Sequence, residues 1–323
     1  KEIIMSHELT VRANGAVEFA YLASDGTPWH GLGQALQDGT SIDGWREAAG
    51  MDWRIRRSQV RYAVDRDAEQ FITLPEQHVL FRSDTNAPLG VVSNKYQVVQ
   101  PGEVIEFFRD IAKAGGLELS AAGTIYGGKR FWATAKIGEA APASVADKIG
   151  GYILISTSAD GSLATEVRRT TVRTVCKNTL QMAMADAKAS IKVSHRSVFD
   201  PASVKEFMGL NTAAWDSFRH TVTRLANIEM LEDEAVEMTA QVFGGGEKVR
   251  ETAGYKKVLS LFNGEGMGST LDGVMGTRWG FLNAVTEYAD HHVRARTDEN
   301  RFVASQWGAG ADLKARTLEL LSV

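Results

Sequence analysis

Between residues 117 and 169 the chain holds four strand-like runs, and a glycine-bearing pair separates the first from the second and the third from the fourth. Leu117 to Tyr126 leads to Gly127-Gly128 and returns as Lys129 to Ile137, while Gly151 to Ser158 leads to Asp160-Gly161 and returns as Leu163 to Arg169. Gly-Gly and Asp-Gly supply the positive φ that a tight hairpin turn demands. In the return strand Lys129 to Ile137, Phe131, Ala133, Ala135 and Ile137 fall on one face and Arg130, Trp132, Thr134 and Lys136 on the other; that alternation marks a strand with one core face. Two adjacent hairpins commit this stretch to an antiparallel sheet that needs a covering layer.

The flanking segments supply helices and further strands. Pro101 stands at a first-turn position, Val104, Ile105, Phe108, Ile111 and Ala112 form an apolar stripe, and Gly115-Gly116 ends it, so Gly102 to Ala114 reads as a helix. Upstream, Ser41 caps a short helix over Ile42 to Ala49, and Val60-Tyr62-Val64, Phe71 to Leu74, Val79 to Phe81 and Leu89 to Ser93 read as strands, with a turn at Ser83 to Asn86. Downstream, the spacing of Val172, Cys176, Leu180, Ala183 and Ala187 predicts a helix from Thr170 to Ala187. Ser190 to His195 then reads as a short strand, and Asp200-Pro201 as a cap and first-turn proline. Beyond it the pattern is mainly helical, broken at Gly244-Gly245-Gly246 and from Gly264 to Gly276. Segregated strands and helices give an α+β class: antiparallel hairpins packed on a helix, with a mainly helical C-terminal part. The expected divisions are a β-rich region over residues 1–100, an α+β core over 101–199 and a helical region over 200–323.

Composition narrows the function classes. At 44% hydrophobic and 24% charged residues the chain can bury a core, which excludes whole-chain disorder. Its apolar runs are shorter than the roughly 20 residues a membrane helix needs, and its one cysteine, Cys176, excludes an internal disulfide. With Lys1 to Arg12 lacking the apolar core of a signal peptide, the expectation is a reduced, cytoplasmic setting with no membrane partner. A net charge of −4 argues against coating duplex DNA by charge alone. The charge is uneven, however. Between Leu163 and Val198, Arg168, Arg169, Arg173, Lys177, Lys188, Lys192 and Arg196 stand against Glu166 and Asp186; a second basic knot runs Trp53-Arg54-Ile55-Arg56-Arg57 with Arg61 beyond; and acid gathers at Glu229, Glu232, Asp233, Glu234 and Glu237.

An indole between cations is the chemistry of single-strand binding, in which bases stack on an aromatic for about 1–3 kcal/mol each and cations follow the phosphates. The polar strand face Arg130, Trp132 and Lys136 offers that combination, the expected helix adds Arg169, Arg173 and Lys177 at i, i+4, i+8 beside Arg168, and Lys192 and Arg196 extend the groove. A packed tryptophan under an ordinary polar face is the competing account of Trp132. Glu287 and His291, at i, i+4 with Asp290 and His292 beside them, put a carboxylate and an imidazole on one helix face, two ligands toward a metal site but short of a full set. Gly264 to Thr270 and Gly244 to Lys248 lack the lysine-Ser/Thr pair of a phosphate-binding loop, so no nucleotide cofactor is expected. Cys176, on an apolar stripe, reads as a small buried hydrophobe.

The stretches Thr27 to Gly33, Leu89 to Ser93, Val172 to Leu180 and Asn283 to Tyr288 carry a resemblance over nearly the whole chain from Met5. They resemble the phage/plasmid-like proteins of an uncharacterised bacterial family filed as a domain of unknown function. That resemblance implies a mobile-element setting in a bacterial host and supplies no catalytic residues. The order hairpin, hairpin, helix with a basic-aromatic sheet is similar to the core of the single-strand annealing proteins, with the Rad-type annealers and the phage Erf and Redβ proteins, which implies rings or filaments and an outer groove for single-stranded DNA. The leading expectation is therefore a recombination protein that binds single-stranded DNA and anneals it without ATP, as a homo-oligomer, alongside a partner nuclease or host protein. The rival expectations are a metal-dependent nuclease using Glu287, Asp290, His291 and His292, and an assembly or anti-defence protein binding host proteins through its acidic helical half.

Overall fold

The computed structural model describes residues 10–26, 32–65, 70–115, 118–140, 149–173, 179–181, 190–193 and 211–322. It has the expected α+β class. Both hairpins form where the turn pairs place them. Strand β6 (Glu118–Ile125) crosses a short 3-10 turn at Tyr126–Gly128 into β7 (Arg130–Ala140), and β8 (Ile149–Ser158) returns as β9 (Thr165–Arg173). Positive φ at Tyr126, Gly127 and Gly128, and at Gly161, makes these two crossings tight. With β1 (Phe19–Leu22) antiparallel to β6, β2 (Gln34–Leu36) parallel to β1 and β10 (Thr179–Gln181) beside β9, the meander extends to a sheet ordered β10-β9-β8-β7-β6-β1-β2. Strand β11 (Ser190–Val193) pairs with the first half of β9, and β10 with its second half.

The helix read from the sequence over Thr170 to Ala187 is corrected at residues 170–173 and 179–181, while residues 174–178 and 182–187 lie outside the described residues. Residues Thr165 to Arg173 continue the second hairpin as β9, with Ile149 opposite Arg173 and Tyr152 opposite Thr170, and Thr179 to Gln181 form β10. The ladder offered by β8 satisfies the backbone of residues 170–173, and that tertiary pairing overrides a local helical spacing. Arg168, Arg169 and Arg173 therefore sit on a strand, where Arg168 and Arg169 face opposite ways, and not on one helical stripe. Lys177, Arg196, Cys176 and the Asp200-Pro201 cap lie outside the described residues.

One face of the large sheet carries Phe131, Ala133, Ala135, Ile153, Ile155 and Val167, all buried, under helices α1 (Ile42–Ala48) and α2 (Pro101–Gly115) through Trp45, Val104, Ile105, Phe107 and Phe108. Both helices were expected, and Ser41 caps α1 by accepting from the Gly44 amide at 3.1 Å. A separate three-stranded sheet, β3 (Ile55–Ala63), β4 (Phe71–Arg82) and β5 (Pro88–Ser93), joins the same core through Ile55, Leu80, Leu89 and Val92. Phe71 to Leu74 and Val79 to Phe81, read as two strands, are the two ends of β4, which bulges between them.

The helical C-terminal part comprises α3 (Asn211–Ala226), α4 (Glu232–Val242), α5 (Ala253–Ser260), α6 (Arg278–Glu287), α7 (Asp298–Trp307) and α8 (Ala309–Ser322). Its own core surrounds α6, whose residues Trp279 to Glu287 are all buried. Helix α7 lies over the second face of the large sheet, where Trp307 Nε1 donates to Ser156 Oγ at 3.2 Å and Arg168 donates to the Gln306 carbonyl. No helix among the described residues is long and apolar enough to cross a membrane.

Candidate nucleic-acid interface

The alternation in β7 is as expected, and its polar face has a cover. Trp132 stands between Phe19 and Phe302 with ring centroids at 5.9 and 6.1 Å, and Phe302 in turn meets Trp307 edge-on at 5.7 Å. Its Nε1 is buried without a hydrogen-bond partner among the described residues. Lys136 donates to Asp25 Oδ1 at 2.9 Å, and Asp25 Oδ2 accepts from Ser120. Arg168 is buried, paired with Glu166, and set over the Trp307 ring at 5.4 Å. Arg169 is fully buried on the opposite, core face beside Ile153. Burial pushes both guanidinium pKa values down, and Glu166 works against that shift at Arg168. Arg173 and Lys192 lie on β9 and β11. The strand face, Arg168 and Arg169 thus do not form one open groove.

Arg130 is the exception, because it sits at the turn end of the hairpin. Its guanidinium lies 5.4 Å over the Tyr126 ring and its Nε donates to Ser162 Oγ at 3.1 Å. Three other cations gather at the same end. Lys129 is exposed, and its carbonyl accepts from the Ala159 amide at 2.7 Å, tying the two hairpin turns together. Tyr96 Oη donates to the Ser158 carbonyl at 2.7 Å, and Ser158 lies opposite Arg130 in the ladder. Arg57, exposed on β3, donates to the Tyr96 carbonyl at 2.8 Å, and Lys95 beside it is exposed. Burial raises the Tyr96 hydroxyl to about 12, so it remains a neutral donor across the physiological range. Arg57, Lys95, Lys129 and Arg130, from three separate segments, therefore share one surface with Tyr96 and Tyr126; Asp160 lies among them with Oδ1 accepting from the Ser162 amide at 2.9 Å.

What holds this surface in place is a buried ion network that the sequence reading missed. Glu18 is fully buried and accepts from Arg82 at 2.6 and 3.1 Å, from Arg12 at 3.2 Å, and from the Thr124 hydroxyl. Arg82 also donates to Asp84 through Nε at 3.0 Å and a terminal nitrogen at 2.8 Å, to the Gly127 carbonyl at 3.2 Å, and stacks 4.2 Å over Trp53. Burial opposes the charge on Arg82, but its hydrogen bonds to Asp84 and Glu18 outweigh that and hold its pKa above the ordinary arginine value. The network bridges the N-terminal segment, the β4–β5 turn and the β6–β7 turn, and lines a cleft of about 580 Å³ with Asp52 and Asn14. A side chain at Gly128 would stand 2.7 Å from Trp53 and 2.9 Å from Arg82, so only glycine lets the hairpin turn seat against the stacked pair. The sequence signal was slight: an isolated acid in Ala16-Val17-Glu18-Phe19-Ala20, with apolar neighbours on both sides.

The candidate metal residues do not converge. Glu287 is buried and accepts from the Met267 amide at 2.8 Å, with His292 Nε2 at 3.5 Å, whereas Asp290 accepts from the buried Lys314 ammonium at 2.7 Å. Among the described residues, no group of three His, Cys, Asp or Glu side chains stands where it could hold a metal ion.

No curated protein and no solved structure matches the chain. A family model described as a domain of unknown function, DUF932, matches residues 88–307, which include both hairpins, α2, Lys95, Lys129 and Arg130 and most of the helical part. Spanning well over half of the 323 residues, that match makes the chain a member of the DUF932 family.

Proposed function

We propose that this protein binds single-stranded nucleic acid across the hairpin-turn end and promotes annealing of complementary strands without a nucleotide cofactor, in the service of a phage or plasmid-like element. The observation that carries the reading is the convergence of Arg57, Lys95, Lys129 and Arg130 beside Tyr96 and Tyr126. Phosphates supply the charge such a surface complements, and the Tyr126 ring holds the Arg130 guanidinium at the turn. Arg130, named from the sequence, belongs to this surface; Trp132 contributes by packing under α7 and fixing the strand that presents Arg130.

The test is a fluorescence-anisotropy titration of a labelled single-stranded oligonucleotide with three proteins. Lys129→Gln/Arg130→Gln is expected to lose affinity at least about tenfold, since each phosphate contact contributes through counterion release. Trp132→Ala is expected to lower thermal stability while leaving affinity, measured below its melting range, within about twofold of the parent. Equal affinity of the parent and Lys129→Gln/Arg130→Gln would overturn the assignment.

A further inference from the structure

The β3–β4 hairpin extends past the sheet it starts in. Strand β5 pairs with β4 no farther than Gln77, so the outer half is a two-stranded arm, with Arg61 opposite Thr73, Tyr62 opposite Ile72 and Ala63 opposite Phe71. A bulge in β4, where Glu76 takes a φ of 61°, separates arm from root. Along β3, Val60, Tyr62 and Val64 share one face, which Ile72 and Leu74 join from β4. That face is apolar and open: Tyr62 is 48%, Val64 67%, Ile72 46% and Leu74 39% exposed. Toward the root the same side of β3 ends in the exposed Arg56, with Arg54 beside it. Period-two apolar patterning marks a half-buried strand, and an isolated two-stranded ribbon is marginal in water, so this face needs a cover.

A surface of complementary character lies on the helical part. The bridge between Glu229 and Thr277, with Met230 N–H on the Gly276 carbonyl at 2.9 Å, sets Leu231 beside Met275. These are 65% and 68% exposed, and Glu229, Glu232 and Asp233 are exposed around them. One surface is apolar with arginines at its edge, the other apolar with carboxylates at its edge. Both are open in a single chain, so they can meet only between copies.

We propose that the arm of one copy docks its apolar face on Leu231 and Met275 of a second copy, with Arg54 and Arg56 facing Glu229, Glu232 and Asp233. Such a contact joins two different surfaces and is heterologous, so each added copy leaves one free arm and one free patch and the assembly grows into a ring or a filament. The arrangement uses none of Arg57, Lys95, Lys129 and Arg130 and does not rest on the nucleic-acid reading.

Sedimentation velocity on the intact chain, without nucleic acid, tests it over a concentration series. The parent assembles, whereas Tyr62→Glu/Ile72→Glu and Leu231→Lys/Met275→Lys each fall to the single-chain mass of 35.2 kDa with unchanged circular dichroism. Mixed in equal amounts, the two variants form a species of twice that mass and grow no further, because the pair retains one intact arm and one intact patch. A parent that stays monomeric, a patch variant that assembles like the parent, or a mixture that stays monomeric would each overturn the proposal.

Discussion

Glu18 shows how a single side chain can organise a surface it does not belong to. It is fully buried against Arg82 and Arg12, and removing one member of such a set leaves an uncompensated charge in the interior. Glu18→Gln is therefore expected to cost about 3–5 kcal/mol in urea unfolding, at the scale of broken buried pairs, and a change below about 1 kcal/mol would contradict the network's role. Asp84 carries the pH dependence of the same site. The hydrogen bond from Arg82 holds its pKa below the ordinary 3.8 against a smaller opposing effect of burial, so the folded form releases the proton more readily than the unfolded form. Its stabilisation is in full force above the ordinary value and is lost as pH falls through the lowered one. Thermal midpoints of the parent and Asp84→Asn should differ by a constant amount above about pH 5 and converge below pH 3.8; a gap that persists at lower pH would contradict this assignment.

At the scale of elements, patterns whose cause is local could be read directly. Turn glycines placed both hairpins, Ser41 placed the start of α1, Pro101 that of α2, and the alternation of β7 assigned Phe131, Ala133 and Ala135 to the core. The reading failed at Thr170 because the spacing of Val172, Cys176 and Leu180 is helical, whereas Val172 on β9 pairs with Gly150 on β8, some twenty residues earlier, and with Thr179 on the antiparallel β10. Thr171→Pro separates the two. In a helix beginning at Thr170 the proline would occupy a tolerated first-turn position, whereas in β9, paired with Gly151 on one side and Leu180 on the other, it removes a ladder donor. A loss of about 3 kcal/mol or more is expected, and a neutral effect on the melting temperature would contradict the strand. The candidate interface was legible only in pieces. Arg130 and the Trp53 to Arg57 basic knot are visible in sequence, but Tyr96, which brings Arg57 to the hairpin turns by bonding Ser158, joins residues 62 positions apart, and no periodicity reports such a contact.

For the molecule as a whole, the helical part is a cover as much as a separate core. Helix α7 closes the second sheet face over Trp132 and Ser156, and Arg168, paired with Glu166 on β9, ties the sheet to that helix by donating to the Gln306 carbonyl. That cover leaves exposed cations at the hairpin-turn end and exposed apolar side chains on the arm. We propose that the turn end holds a single-stranded polyanion, and equilibrium binding of a labelled single-stranded oligonucleotide at a series of salt concentrations, with duplex as competitor, decides it. Four cations on phosphates predict that log K falls with log salt with a slope of roughly −3, at about −0.7 per contact on a single strand, and that duplex competes poorly. Absence of binding at low salt, or an affinity indifferent to salt, would contradict the claim.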